Sequence, residues 1–206
     1  MHLYDHHLSP NPIRVRIFLA EKEIDVPTIQ VDIPAGEHRS DALLKKNPCG
    51  HIPFLELDDG TVISESVAIC RYFEGVRPEP ALMGVNNLDA AIVEMWQRRI
   101  EIELFIPVLD YFKNTDRAFA DAVEQIPAYG EACRQRILAM LDVLDTELAG
   151  RPYMAGERFT IADITAWVAA VGLSFCGIEI PSNLVHFSRW RDAVFERPSG
   201  KVFNDV

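Results

Sequence analysis

The sequence predicts an α+β chain, with a strand-and-helix N-terminal part followed by an all-helical C-terminal part. Three observations predict it. Short apolar runs suited to strands are confined to residues 1–75. Residues 76–87 (VRPEPALMGVNN) carry two prolines, a glycine and no periodicity, as a linker would. From residue 88 to 206 the apolar residues recur at helical spacing and no strand pattern stands out.

Taken in order, Met1 to Tyr4 reads as a short strand and His6 to Asn11 as a loop. Asn11-Pro12 has the form of an N-cap and a first-position proline, opening a helix over Pro12 to Lys22 with Ile13, Ile17 and Ala20 on one face. Val26 to Ile33 reads as a second strand, and Ser40 to Lys46 as a short helix. Phe54 to Leu57 and Thr61 to Ile63 flank Asp59-Gly60, a pair suited to a two-residue hairpin turn. Ile52-Pro53 leads into the hairpin through a proline, which suits a cis peptide in a tight turn. Ser64-Glu65-Ser66 then opens a helix through Phe73.

In the second part, Leu88 to Asn114 is a long helical run, bent or broken at Pro107. Ala128 to Leu148 places Ile137, Leu141, Leu144 and Leu148 on one buried stripe. Thr160-Ile161-Ala162-Asp163 is a capping box in its Asp form ahead of an apolar helix, Ile164 to Leu173. Ser182 to Arg197 holds further helical turns around Trp190 and Val194.

The chain has 206 residues, 49% hydrophobic and 25% charged, with a net charge of −11. That charge speaks against nucleic acid or an anionic membrane as partner, since no basic surface is available to release counterions. There is no basic N-terminal region before an apolar core and no apolar run of ~18 residues, so neither a secretory signal nor a membrane span is expected. Cys49, Cys70, Cys133 and Cys176 are far apart and fit reduced thiols in a cytoplasmic protein. No His/Cys grouping has zinc spacing, so no metal is expected.

Two features of the N-terminal part point to a ligand. Glu65-Ser66 falls in a first helical turn, where unpaired N–H groups and the helix dipole attract a carboxylate. Ile52 stands just before Pro53 on an extended edge. With Asn47-Pro48, Gly50 and the hairpin in register, this arrangement resembles the soluble glutathione transferases, and the Thr160-x-x-Asp163 box extends the resemblance into the second part. The resemblance implies a thioredoxin-like first domain (residues 1–75), a linker (76–87) and an all-α helical bundle (88–206). It implies that Ile52 pairs with the glutathione backbone by its N–H and C=O beside Pro53, that Glu65 binds the α-ammonium, and that Ser66 binds the α-carboxylate. It also implies His38 and His51 near the glycine carboxylate; each could equally be an exposed loop residue.

Glutathione transferases attack small electrophiles with the glutathione sulfur. A free thiol, with pKa about 8.5, is mostly protonated at neutral pH, so the protein must stabilise the thiolate. The donor is expected in the segment from Tyr4 to Pro12. Ser9-Pro10-Asn11-Pro12 resembles the Cys-Pro-x-Cys corner of glutaredoxins with both thiols lost, so the sulfur must come from the ligand. Ser9 is the first candidate for the sulfur donor, with Asn11 and Tyr4 behind it. Cys49 beside the site reads as inert. The electrophile is expected between the domains, with Trp96 to Tyr111 as candidate walls. The implied activity is a cytoplasmic, homodimeric glutathione S-transferase of the bacterial Ser-type, acting in detoxification with glutathione as co-substrate. A glutathione-dependent disulfide or peroxide reductase and a non-catalytic binding or regulatory protein are the alternatives.

Overall fold

The structure, a computed structural model, describes residues 1–203. Contacts divide the chain into two units: Met1–Leu82 with the closing 3₁₀ turn Pro198–Phe203, and Met83–Arg197.

Alternation along the first strand sets up the first unit. In β1 (His2–Asp5), Leu3 and Tyr4 are both buried and point to opposite faces. β1 pairs in parallel with β2 (Thr28–Gln30) and antiparallel with β3 (Phe54–Glu56). β3 in turn pairs antiparallel with β4 (Val62–Ser64), so the sheet runs β2-β1-β3-β4. The parallel pair requires a crossover, supplied by α1 (Pro10–Glu21). Tyr4 stacks on Phe54 with ring centroids 4.2 Å apart, in a cluster with Val31 and with Leu43 of α2 (Asp41–Leu44). Leu3 and Leu55, directly opposed, face the other way, where α1 and α3 (Ser66–Val76) supply Ile17, Phe18, Ile69 and Phe73. Beside α1, Lys22 is wholly buried. Its ammonium donates to the carbonyls of Arg77 (2.8 Å) and Pro80 (2.7 Å) and pairs with Glu74 (2.6 Å), closing the C-terminal end of α3.

Several boundaries differ from the expectation. α1 starts two residues earlier than expected, at Pro10, with Ser9 rather than Asn11 as N-cap. Both prolines fall where a helix has no intrahelical use for an N–H, so either could open it, and the chain takes the earlier one. β2 is only three residues, all exposed at a sheet edge. The hairpin turn has three residues, not two. Leu57 N–H bonds Thr61 C=O at 2.8 Å across Asp58-Asp59-Gly60, with Gly60 at φ 85°. Such loops combine a turn with a left-handed glycine. The Ile52–Pro53 peptide is cis, and so is Glu79–Pro80, which the sequence reading did not single out. The turn from Pro198 belongs with the first unit, not with the helices: Ser199 Oγ reaches Glu21 Oε1 at the end of α1.

The second unit is helical: α4 (Asn87–Ile100), α5 (Ile106–Thr115), α6 (Pro127–Leu148), α7 (Ile161–Phe175) and α8 (Val185–Phe195). Between α4 and α5, Glu101–Phe105 forms a π-helical turn. Pro107 cannot donate to a carbonyl one turn back, and the ladder changes register just ahead of it. On α6, Ile137, Leu141, Leu144 and Leu148 are all fully buried. At the start of α7, Thr160 and Asp163 form the capping box. Asp163 Oδ2 accepts from the Thr160 N–H (2.9 Å) and hydroxyl (3.1 Å), while Oδ1 accepts from Met154 N–H (2.8 Å) and Trp190 Nε1 (2.9 Å).

Candidate functional site

At the start of α1, Ser9 has extended backbone (φ −83°, ψ 135°), and its C=O accepts from the Ile13 N–H at 3.0 Å. Its hydroxyl caps nothing. It lies 2.9 Å from His6 Nδ1 instead. The loop holding both residues is fixed by its neighbours. Ser9 N–H donates to His6 C=O at 3.0 Å, and His7 N–H donates to Gln30 Oε1 at 3.1 Å. Gln30 Nε2 in turn donates to buried Asp5 at 2.7 Å. Burial, then the neighbouring His7, lowers the His6 imidazole from its usual value and so favours its neutral form.

The start of α3 lies against the same corner. Glu65, its N-cap, has φ 69° and ψ 119°, outside the regions that non-glycine residues favour, and its side chain makes no capping bond. A backbone held in this way costs on the order of 1–3 kcal/mol and clusters at binding sites. Ser66 is 5% exposed. Its Oγ accepts from Arg14 Nη1 at 3.1 Å and donates to Asn11 Oδ1 at 3.2 Å, so the first turns of α1 and α3 are joined. Arg14, 1% exposed, places a buried positive charge behind this helix start. The Cys70 thiol nearby is inert: burial pushes it up to about 12, against the pull of Arg14.

Ahead of β3, buried Asn47 organises the approach to Ile52. Its Nδ2 donates to His51 C=O at 2.8 Å. Gly50 has φ +62°, and a Cβ there would meet Leu44 Cδ2 at 3.2 Å, so the tight loop needs glycine. Neither the N–H nor the C=O of Ile52 bonds another described residue. His51 is exposed and His38 half-buried. Burial lowers the His38 pKa, with Arg39 and His51 adding to the effect. Its Nδ1 is buried with no hydrogen-bond partner among the described residues.

Tyr4 stands apart from this corner. Its hydroxyl accepts from Lys46 Nζ at 2.7 Å and donates to Glu56 Oε2 at 2.9 Å. Both functions of the oxygen are engaged on the α2 side of the sheet. Of the candidate walls, Trp96 and Phe105 are buried at 3% and 2% inside the second unit, while Tyr111 is half-buried. Trp96 lies under the guanidinium groups of Arg99 and Arg151, 4.9 and 4.2 Å from its ring centroid. Those two aromatics are core. Cys49 is exposed, and none of the cysteines is in a disulfide.

The sequence reading passed over Arg14 and left His6 without a direction. Arg14 and Arg16 both interrupt the apolar run Ile13, Val15, Ile17, Phe18, and no local pattern tells which of the two is buried. His6 gave no signal either, because a loop histidine's direction depends on backbone that no short pattern specifies.

Comparison with known proteins now supplies the family. Residues 8–76 match the model of the glutathione S-transferase N-terminal domain, and residues 127–193 that of the C-terminal domain. Over 210 aligned residues the chain is 35% identical to glutathione S-transferase 2 of Saccharomyces cerevisiae, covering 100% of this chain and 90% of that protein. Among solved structures, Gtt2 of Saccharomyces cerevisiae superposes with a TM-score of 0.93 at 34% identity, over 98% of this chain and 100% of that one. A glutathione S-transferase domain-containing protein of Marinobacter aquaeolei VT8 gives a TM-score of 0.92 at 38% identity, over 97% and 99%.

Proposed function

The chain belongs to the glutathione S-transferase family, and on that premise we propose that it binds glutathione on its first domain and transfers the thiolate to small, mostly apolar electrophiles. The observation that carries this reading is the open start of α3, where Glu65 and Ser66 leave first-turn N–H groups facing a corner shared with Ser9. A ligand α-carboxylate would take the Ser66 N–H, and the Ser66 hydroxyl once its proton turns from Asn11 Oδ1 to the ligand, backed by the dipole and by Arg14. Glu65 would take the α-ammonium. The unbonded N–H and C=O of Ile52, beside Pro53, suit a peptide laid alongside as one further strand. His38 and His51 would donate to the glycine carboxylate. The unpartnered Nδ1 of His38 supports its part.

Ser9 would donate to the sulfur. Its hydroxyl is free of the helix, whereas that of Tyr4 is held by Lys46 and Glu56. Asn11, tied to Ser66, would hold the serine that meets the ligand carboxylate. With Ser9 and Asn11 at the head of α1 and the nearby Cys70 buried and inert, direct conjugation is favoured over reduction through a mixed protein disulfide. Proximity and a lowered thiol pKa would supply the rate, without a metal. Cytoplasmic residence and a role in detoxification belong to the same reading; no helix among the described residues is long and apolar enough to cross a membrane. A homodimer does as well. It is supported by Leu88 (72% exposed), Met95 (39%) and Ile102 (38%), which recur at seven-residue spacing.

The test is titration calorimetry with glutathione, followed by turnover of an aryl halide against reduction of a glutathione mixed disulfide. Heat of binding with conjugation supports the reading. Disulfide reduction without conjugation moves the assignment to a reductase. No binding at millimolar ligand rejects enzymatic use of the site.

A further inference from the structure

His6 has no role in the reading above, yet its Nδ1 lies 2.9 Å from Ser9 Oγ. The contact is not needed to close the turn, because the Ser9 N–H already bonds the His6 C=O at 3.0 Å. Nor does the hydroxyl act as an N-cap serine usually does, by accepting from the first-turn N–H groups. The imidazole is its side-chain partner instead. We propose that His6 is a positioning residue that takes up the glutathione thiol proton through the Ser9 hydroxyl and then holds that hydroxyl toward the sulfur. This rests on Ser9 being the group beside the sulfur.

The protons balance as follows. In the free protein the neutral imidazole accepts the Ser9 proton at Nδ1. When glutathione binds, the S–H bond breaks and its proton passes to Ser9 Oγ, as Ser9's own proton passes to Nδ1. A thiol and an imidazole become a thiolate and an imidazolium. The Nδ1–H now donates to Ser9 Oγ, and the new Ser9 O–H donates to the sulfur anion. The imidazolium then loses its Nε2 proton to water, which reaches this half-buried ring. The groups around His6 agree with a cation that does not persist. Burial, His7 (ring centroids 5.3 Å away) and Arg16 disfavour it, and Asp5 and Asp32 only partly offset them. The tautomer left behind keeps the Nδ1–H bond that fixes Ser9.

The test follows the ultraviolet absorbance of the bound thiolate with pH, and proton release on mixing, in the native protein, Ser9→Ala, His6→Ala, His6→Asn and the double variant Ser9→Ala/His6→Ala. Circular dichroism and affinity for S-methylglutathione, which has no thiol proton, serve as controls. His6→Ala should lower the bound thiolate at neutral pH about tenfold, equivalent to one unit in the thiol pKa. S-methylglutathione should bind it as it binds the native protein. In the Ser9→Ala background, removing His6 should change nothing further. His6→Asn, whose amide N–H can stand in for Nδ1–H, should restore the equilibrium thiolate while proton release stays slow. A merely structural histidine would not split those two readouts. Native thiolate and native proton release in His6→Ala, with both lost in Ser9→Ala, would overturn the role of His6 and leave Ser9's standing. Native thiolate in Ser9→Ala would remove Ser9, and His6 with it.

Discussion

The start of α7 in the second unit and the starts of α1 and α3 in the first are finished in opposite ways. At α7 the chain completes its own cap. Asp163 accepts four hydrogen bonds, from Thr160 N–H and Oγ, Met154 N–H and Trp190 Nε1, and the carboxylate is wholly buried. At α1 and α3 the N-cap residues Ser9 and Glu65 make no side-chain capping bond. Every helix begins with unpaired N–H groups. Satisfied from within, they hold a fold together; left open, as at α3, they are where the proposed carboxylate would bind. On the proposed reading, the same kind of element serves stability at α7 and recognition at α3.

The strongest way to break this distinction is Asp163→Ala. It strips the acceptor from two buried backbone N–H groups and an indole, and should cost roughly 3–5 kcal/mol in urea unfolding. A loss under about 1 kcal/mol would mean that the box is ornamental. The pH dependence sharpens the point. Burial pushes the Asp163 carboxyl up to about 6, with its four donors pulling it down. In the unfolded chain an aspartate titrates near about 3.9. A folded pKa above the unfolded one means that the native state holds the proton more tightly. This group's contribution is therefore full below the unfolded value and is lost as pH rises through about 6. Unfolding across that window should show the slope in the native protein and a flatter one in Asp163→Asn.

Next in size is Ser66→Ala, where the loss should fall on binding. If the Ser66 hydroxyl meets the ligand carboxylate as proposed, its removal should weaken glutathione by roughly 2 kcal/mol, about thirtyfold in Kd by calorimetry. Its cost in stability should stay below that of Asp163→Ala. If Ser66→Ala unfolds the protein as readily, the α3 start is structural like that of α7.

The two starts were not equally legible. The α7 box is local: Thr160 and Asp163 stand three residues apart, and the rule joining them acts within one helical turn. The hairpin and the run ahead of Pro53 were legible for the same reason, although the turn's length was not. The α3 start was legible only as a polar pair. That Glu65 sits at φ 69°, and that Ser66 is bonded to Arg14 and Asn11, depends on residues 52 and 55 positions away, which no local pattern joins. Ser9 was singled out, but its position as N-cap was not. With prolines at 10 and 12, two helix starts are sterically equivalent, and only the tertiary contacts of α1 choose between them. Trp96 and Phe105 looked like candidate walls because a buried aromatic and a pocket aromatic share the same spacing.

The smallest effects separate a closed start from an open one most cleanly. Thr160→Ala, at the closed start, should cost about 1 kcal/mol of unfolding free energy, because it removes the hydroxyl that donates to the buried Asp163 carboxylate. Ser9→Ala, at an open start, replaces a residue in the same nominal position, and the N-cap rule applied blindly would predict the same loss. It should not occur. The Ser9 hydroxyl bonds His6 rather than a first-turn N–H, so alanine removes no cap. Its backbone already has the extended conformation that an N-cap needs. Stability should change by less than about 0.5 kcal/mol, as for surface substitutions away from such features. If Ser9→Ala instead matches Thr160→Ala, the serine caps α1 in solution. Its oxygen would then be engaged with the helix, and the hydroxyl assigned to the sulfur would be lost from that corner.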